Sequence, residues 1–209
     1  MTTAYFPELG NLSPCDYADA LRREQFMHYT IRPLHSNMSR ISGPAYTVKC
    51  EPGDHLMLHA AVYAAKPGDI IVAQADDNFA LAGGNVCAIA MQRGIAGFVI
   101  DGVIRDLAEV RQMGFPVFAK GVIPKPGKKA SAHSMQIDIV CGGAKVCPGD
   151  IIVADEEGIA VIDQNQVKQA YDIALARAQK DASMSLAQWQ ENHQSVVTEK
   201  LKQAKLNPR

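Results

Sequence analysis

The sequence has almost no charge imbalance: 21 Lys and Arg stand against 22 Asp and Glu, a net of −1 over 209 residues. A nucleic-acid partner, which would show as a basic excess, is therefore not expected. Nor is there an apolar run near the ~20 residues that span a bilayer. The opening MTTAYFPELGNLSP lacks a basic segment followed by an apolar one, so no secretory signal is read and the expected location is the cytoplasm. No Walker loop and no G-x-G-x-x-G occur, which leaves nucleotide binding unsupported. The five cysteines (Cys15, Cys50, Cys87, Cys141, Cys147) form no C-x-x-C. Their odd number and apolar settings, such as NVCAIAM around Cys87, point to reduced, buried thiols and away from zinc.

What remains is an ordinary globular composition, 47% hydrophobic and 21% charged. The length fits a single domain, 1–209, with a core over about 44–163 and a helical C-terminal segment over about 164–205. Ser13-Pro14-Cys15-Asp16 reads as a capped helix start, running to about Glu24. PAYTVKC (44–50) predicts a strand. From there short helices alternate with β-branched strands: helices over 54–66, 85–93 and 105–113, the last two stopped by Gly94 and Gly114, and strands over 68–74, 96–101 and 116–120. That rhythm predicts an α/β fold with parallel pairing. After Pro124 a basic loop leads into strands expected to be antiparallel, with DEEG (155–158) as a hairpin turn. PGDIIVA occurs at 67–73 and again at 148–154, which suggests two related β-elements in one sheet system. A helix is expected from Gln164 to about Ser185, and the polar tail with Trp189 as further helix packed on a neighbour or on the body.

In parallel α/β sheets ligands bind beyond the carboxyl ends of the strands. That rule selects ADDNFALAGGN (75–85) and DGVIRD (101–106). Gly83-Gly84 runs into a helix whose first N–H groups could seat a carboxylate, although Gly-Gly is more often only a tight turn. Arg105 offers a planar fork for a carboxylate and Asp106 a ligand for a hard, hydrated cation. Equally, Asp106 could serve its own helix dipole and Arg105 a surface ion pair. His55 and His59 lie one helical turn apart, but without an H-E-x-x-H glutamate packing or helix-end roles are favoured over metal binding. Asp76-Asp77 reads as a solvated loop. So does the basic loop with Lys125, Lys128 and Lys129, the alternative being that it attracts an anionic substrate.

The block GGNVCAIAMQRGIAGFVIDGVIRDLAEVRQMGFPVFAKG (83–121), with the flanking KPGDIIVA and PGDIIVADEEGIAVI, resembles the family of 4-hydroxy-4-methyl-2-oxoglutarate and 4-carboxy-4-hydroxy-2-oxoadipate aldolases and RraA regulators of ribonuclease E. The likeness runs from about 44 to 181. It implies a swivelling β/β/α-type, RraA-like fold with a central sheet and a C-terminal helix, assembled as trimers or hexamers. It also implies a class II aldolase that releases pyruvate from a 4-hydroxy-2-oxo acid, with oxaloacetate decarboxylation as a side activity. On that resemblance Asp106 would ligate Mg²⁺ or Mn²⁺, and the N–H groups of Asn85 and Val86, beside Gly84, would hold the pyruvyl carboxylate. Arg105 would steady the enolate. Family aldolases often carry Asp or Glu where this chain has Gly84, which leaves the source of proton transfer open. If that carboxylate is what is missing, Gly84→Asp should raise aldol cleavage. Asp181 aligns with an acidic residue supplied from the adjacent subunit, where Glu is usual. The same resemblance admits a protein-binding regulator of a ribonuclease, or a metal-dependent oxo-acid enzyme of different reaction.

Overall fold

A computed structural model describes residues 7–36 and 38–204. The expected alternation is present, in the order β1 (Arg32–Pro33), β2 (Ile41–Lys49), α1 (Leu56–Ala64), β3 (Ile70–Gln74), α2 (Gly84–Gln92), β4 (Gly97–Ile104), α3 (Leu107–Met113) and β5 (Val117–Val122). Then follow β6 (Ile139–Cys141), β7 (Ala144–Val146), β8 (Ile151–Asp155), β9 (Gly158–Ile162), α4 (Val167–Ser183) and α5 (Leu186–Gln203). Seven strands form one sheet in the order β1-β5-β4-β3-β2-β8-β9, while β6 and β7 form a separate hairpin. Pairing is parallel from β2 through β5 and antiparallel at β1–β5, β2–β8 and β8–β9. The edge strands β1 and β9 approach one another, so the mixed α/β sheet is nearly closed.

The central strands are apolar without alternation because both faces are covered. Ile71, Ala73, Phe98 and Ile100 point to α1, α2 and α3, whose Leu58, Ala61, Cys87, Ala90 and Val110 complete that core. Their neighbours Ile70, Val72 and Val99 point the other way, onto the β6–β7 hairpin and the segment carrying Met27 and Ile31. All three crossover helices therefore lie on one face.

The two PGDIIVA copies fold alike. Gly68 and Gly149 take φ of +89° and +84°, and the Asp69 and Asp150 carboxylates each accept the N–H three residues earlier, from Lys66 and Cys147 at 2.8 Å. The copies flank β2: its first half pairs with β8 and its second half with β3.

The helix expected over 13–24 is not continuous. The Ser13 and Asp16 N–H groups each donate to the other's side-chain oxygen, the reciprocal capping bonds, but the segment breaks into 3₁₀ turns over Asp16–Asp19 and Arg23–Gln25. Leu9, Leu12, Tyr17 and Leu21 pack into one cluster with β8, β9 and α4, and the Tyr17 hydroxyl donates to the Leu9 carbonyl. Tertiary packing overrides the local helix signal here. The expected tail helix is α5, and none of its residues is buried in this chain. The end of the segment expected to 205 lies outside the described residues. Among the described residues no helix is long and apolar enough to cross a membrane, and all five cysteines are free.

Candidate functional site

The loops after β3 and β4 meet because their backbones pair. Leu81 N–H donates to the Val103 carbonyl at 2.9 Å, and Arg105 N–H to the Ala82 carbonyl at 2.9 Å. This sets Gly83-Gly84, at the start of α2, against Arg105-Asp106, at the start of α3. Asp106 is in the left-handed region, with φ 57° and ψ 38°. Few non-glycine residues go there, Asp and Asn among them, and such positions gather at functional sites. The turn aims the carboxylate away from its own helix: Asp106 makes no side-chain cap on α3, and its Oδ2 accepts the Gly84 N–H of α2 at 3.1 Å. Arg105 Nε lies 3.4 Å from the same oxygen, with both side chains partly exposed. The surface ion pair of Arg105 that the sequence allowed is present, and the Asp106 carboxylate makes no hydrogen-bonded cap on its own helix.

Gly83 is required by this approach, and at Gly84 a neighbouring side chain takes the room that a Cβ would need. A Cβ on Gly83 would run into the Asp106 carboxylate and lie 3.1 Å from Arg105 Nε. One on Gly84 would run into the Glu109 carboxylate, from the first turn of α3, and sit 3.2 Å from Glu109 Cβ. The space for a side chain at 84 is thus filled by Glu109, a residue that sequence reasoning passed over. Its position three residues after Asp106, on the same helical face, was the available signal. Gly84→Asp alone is therefore expected to displace Glu109 and give no gain in turnover. Gly84→Asp with Glu109→Ala should turn over faster than either single variant, a non-additivity read by steady-state kinetics.

One small cavity is lined by His55, His59, Gly83, Asn85, Val86, Arg105 and Asp106. Asn85 and Val86 are in the first turn of α2, where N–H groups have no intrahelical acceptor. The imidazoles stack with centroids 4.3 Å apart and planes 9° from parallel. His59 Nε2 lies 3.0 Å from the Leu81 carbonyl; a carbonyl only accepts, so Nε2 carries the hydrogen and Nδ1 the lone pair. Burial and the neighbouring His55, with Lys129 and Arg105 adding repulsion, lower the His59 pKa to about 4. Burial, Lys129 and Arg105 lower that of His55 as well. In the unfolded chain His59 takes up its proton near pH 6.5, whereas in the fold it stays neutral to about pH 4. The unfolded state thus binds more protons between those values, and stability falls as pH drops through that window. After allowance for solvent screening the loss is about 1–2 kcal/mol. Thermal melts from pH 7 to 4 should show it, and His59→Gln should flatten the slope.

Asp76 does more than face solvent: its carboxylate accepts the Gly53 and Asn78 N–H groups and staples the 75–83 loop to the entry of α1. The Asp54 carboxylate accepts N–H groups of Leu56, Ala130 and Ser131 at 2.7, 2.7 and 2.8 Å, tying the 125–131 loop over the same place. Lys125 lies over the Phe79 ring. Asp181 is on α4 beside Arg177, away from this cavity, and lines a separate one between α4 and α5 with Met184 and Trp189. Cys87, under α2, is a buried thiol whose pKa is pushed up to about 12 by burial and the Asp106 charge, so it is inert. Among the described residues no three His, Cys, Asp or Glu side chains gather as a metal cage.

A model of the RraA-like family, Aldolase/RraA, matches residues 14–161. A Halalkalibacterium halodurans protein provisionally named a 4-hydroxy-4-methyl-2-oxoglutarate aldolase is 39% identical over 180 residues, covering 81% of this chain and 85% of that protein. Among solved structures, Streptomyces coelicolor RraAS2, described as an unusual member of the RNase ES inhibitor RraA protein family, superposes with a TM-score of 0.73 at 26% identity. It covers 84% of this chain and 93% of its own. An uncharacterised Pseudomonas syringae pv. tomato protein gives a TM-score of 0.76 at 25% identity, covering 88% and 92%.

Proposed function

This chain belongs to the RraA-like family, and from that premise we propose that it is a divalent-metal-dependent lyase, cleaving a 4-hydroxy-2-oxo acid to pyruvate and a second oxo acid. The observation that carries this reading is the convergence of Arg105, Asp106 and the open N-terminus of α2 on one cavity. The donor set fits Mg²⁺ or Mn²⁺. Asp106 spends Oδ2 on Gly84 and Arg105, and its Oδ1 makes no hydrogen bond or ion pair among the described residues. A single hard oxygen ligand, with no cage of nitrogen or sulfur donors, suits an ion that keeps most of its waters and accepts substrate oxygens. When bound, such an ion would supply Lewis-acid polarisation of the 2-oxo group.

The chain's own residues do the rest. The free N–H groups of Asn85 and Val86, at the positive end of α2, hold the pyruvyl carboxylate. The 4-hydroxyl gives its proton to water and becomes a carbonyl as the C3–C4 bond breaks. The electron pair of that bond forms an enolate, which takes a proton from water at C3 to give pyruvate. The Arg105 guanidinium meets the enolate charge with donors already in place. Asp106, set in its left-handed turn, would hold the ion through its carboxylate. The substrate is a small 2-oxo acid, and the working particle is a homo-oligomer, a trimer or hexamer, in which Asp181 serves a neighbouring copy's site.

The test is pyruvate release, coupled to lactate dehydrogenase, from 4-hydroxy-4-methyl-2-oxoglutarate, 4-carboxy-4-hydroxy-2-oxoadipate and oxaloacetate. Release with Mg²⁺ and its loss in EDTA are expected; silence on all three sinks the reading. The description of RraAS2 as a member of a ribonuclease-inhibitor family favours a second one, a protein-binding regulator. Co-purification with a ribonuclease, insensitive to Arg105→Ala, would select it.

A further inference from the structure

We infer that residues 125–131 form a strap that opens to admit an anionic 2-oxo acid to the cavity and closes over it, with the Asp54 carboxylate as its latch. The identity of the ligand rests on the proposed lyase reading; the opening does not. Room is the first consideration. The cavity has a volume of about 60 Å³, whereas pockets for small organic ligands start near roughly 300 Å³. A 4-hydroxy-2-oxo acid with a hydrated ion does not fit inside it, so a wall has to give. Most of the walls are fixed. Leu81 and Ala82 belong to the main core, α1 is pinned to it by Leu58 and Ala61, α2 by Cys87 and Ala90, and α3 by Val110. The wall left is Pro126, on the strap.

The strap is fastened differently. Between Val122 and Met135 no side chain joins any of the three hydrophobic clusters, and Lys125, Pro126, Lys128, Lys129 and Ala130 are exposed. What holds it is polar. On one side Ala80 N–H donates to the Lys125 carbonyl at 2.8 Å and Gly127 N–H to the Ala80 carbonyl at 3.4 Å. On the other, Lys128 N–H donates to the Gly53 carbonyl at 2.8 Å and His55 N–H to the Lys128 carbonyl at 2.9 Å. Water can replace each of these bonds, so a segment with no buried apolar contact opens at a small part of the cost of unfolding. Its ends stay in place: Ile123 N–H donates to the Ile104 carbonyl and Gln136 N–H to the Thr47 carbonyl, both at 2.9 Å.

Asp54 is the strongest fastening, because its charge assists the bonds it accepts from Ala130 and Ser131. Charge also supplies the closing. Lys125, Lys128 and Lys129 make no ion pair among the described residues. Lys129 stands near enough to the cavity that, after burial, its charge and that of Arg105 help to hold down the pKa of both His55 and His59. An anion in a cavity lined by Arg105 and Pro126 therefore draws the strap inward, and a neutral molecule does not.

The experiment follows amide hydrogen exchange by NMR in the Mg²⁺-loaded full chain, residue by residue. Exchange at Lys128, Ala130 and Ser131 should not respond to low concentrations of urea, the mark of local opening, while exchange at Val72 and Val99 in β3 and β4 should. Pyruvate at about ten times its Kd should slow the three strap amides about tenfold. Gly127→Ala sets a Cβ 2.8 Å from the Gly53 carbonyl, at a residue outside the left-handed region. It should speed the same amides at least about tenfold and leave Val72 and Val99 as they are. Asp54→Asn should speed Ala130 and Ser131 more than Lys128, whose bond goes to Gly53. Strap amides that follow Val72 and Val99 through the urea series, or that ignore Gly127→Ala, overturn the opening. Pyruvate that shifts the Asn85 and Val86 amide resonances yet leaves the strap amides unslowed overturns the closing. If pyruvate shifts neither resonance, the lyase reading fails, and the urea series with Gly127→Ala decides the strap by itself.

Discussion

Arg105→Ala is expected to lower kcat for pyruvate release by at least about 10²-fold, the effect of removing one preorganised electrostatic stabiliser. The size follows from where its charge acts. In the free protein the guanidinium makes one partly exposed contact, 3.4 Å from Asp106, so it contributes little to the fold. Its strong interaction arises only when negative charge develops in the cavity beside it. The loss should therefore fall on kcat, with the melting temperature nearly unchanged. Arg105→Lys should recover part of the rate, since a point charge replaces the charge without the planar fork. A melting temperature that falls in step with the rate would make Arg105 a structural residue and count against the proposal.

Asp106→Asn is expected to abolish metal-dependent turnover and to remove Mn²⁺ binding, followed by the electron paramagnetic resonance signal of the free ion. The left-handed backbone at φ 57° makes the choice of replacement informative. Asn tolerates that region nearly as well as Asp, so Asp106→Asn removes the charge with little added strain. Asp106→Ala removes the charge and adds about 1–2 kcal/mol of backbone cost. Both should lose Mn²⁺ binding, and only the alanine variant should also melt several degrees lower, as such a cost predicts. Retained Mn²⁺ binding in Asp106→Asn would mean that the ion sits elsewhere.

The strands and crossover helices were legible because β-branched runs and stopping glycines act locally: α2 and α3 end at or next to Gly94 and Gly114, as read. The pairing of Arg105 and Asp106 with the Gly83-Gly84 turn was also reachable, from the rule that places ligands beyond strand ends. What was not legible depends on contacts far apart in the chain. His55 and His59 read as packing residues on their own helix, and nothing near them announces that the 125–131 loop closes over them through Asp54. Glu109 was hidden for the same reason: its meaning comes from the empty Cβ position on Gly84, one helix away. At the other end, the capping bonds of Ser13 and Asp16 formed as expected while the helix did not, because Tyr17 and Leu21 are drawn into a cluster with α4.

The double pairing of β2 bears on how the chain matures during synthesis. The second half of β2 meets β3 within about thirty residues, but its first half must wait for β8. At roughly 5–20 residues per second, the hundred or so residues between them take several seconds to make. Throughout that interval Ile41–Pro44 offers an unpaired strand edge to any other nascent chain. Pro44, which has no N–H to donate, and Gly43, which has no side chain, sit on that edge and make it a poor template. When the second PGDIIVA copy emerges, it completes a strand already held in register from its other side.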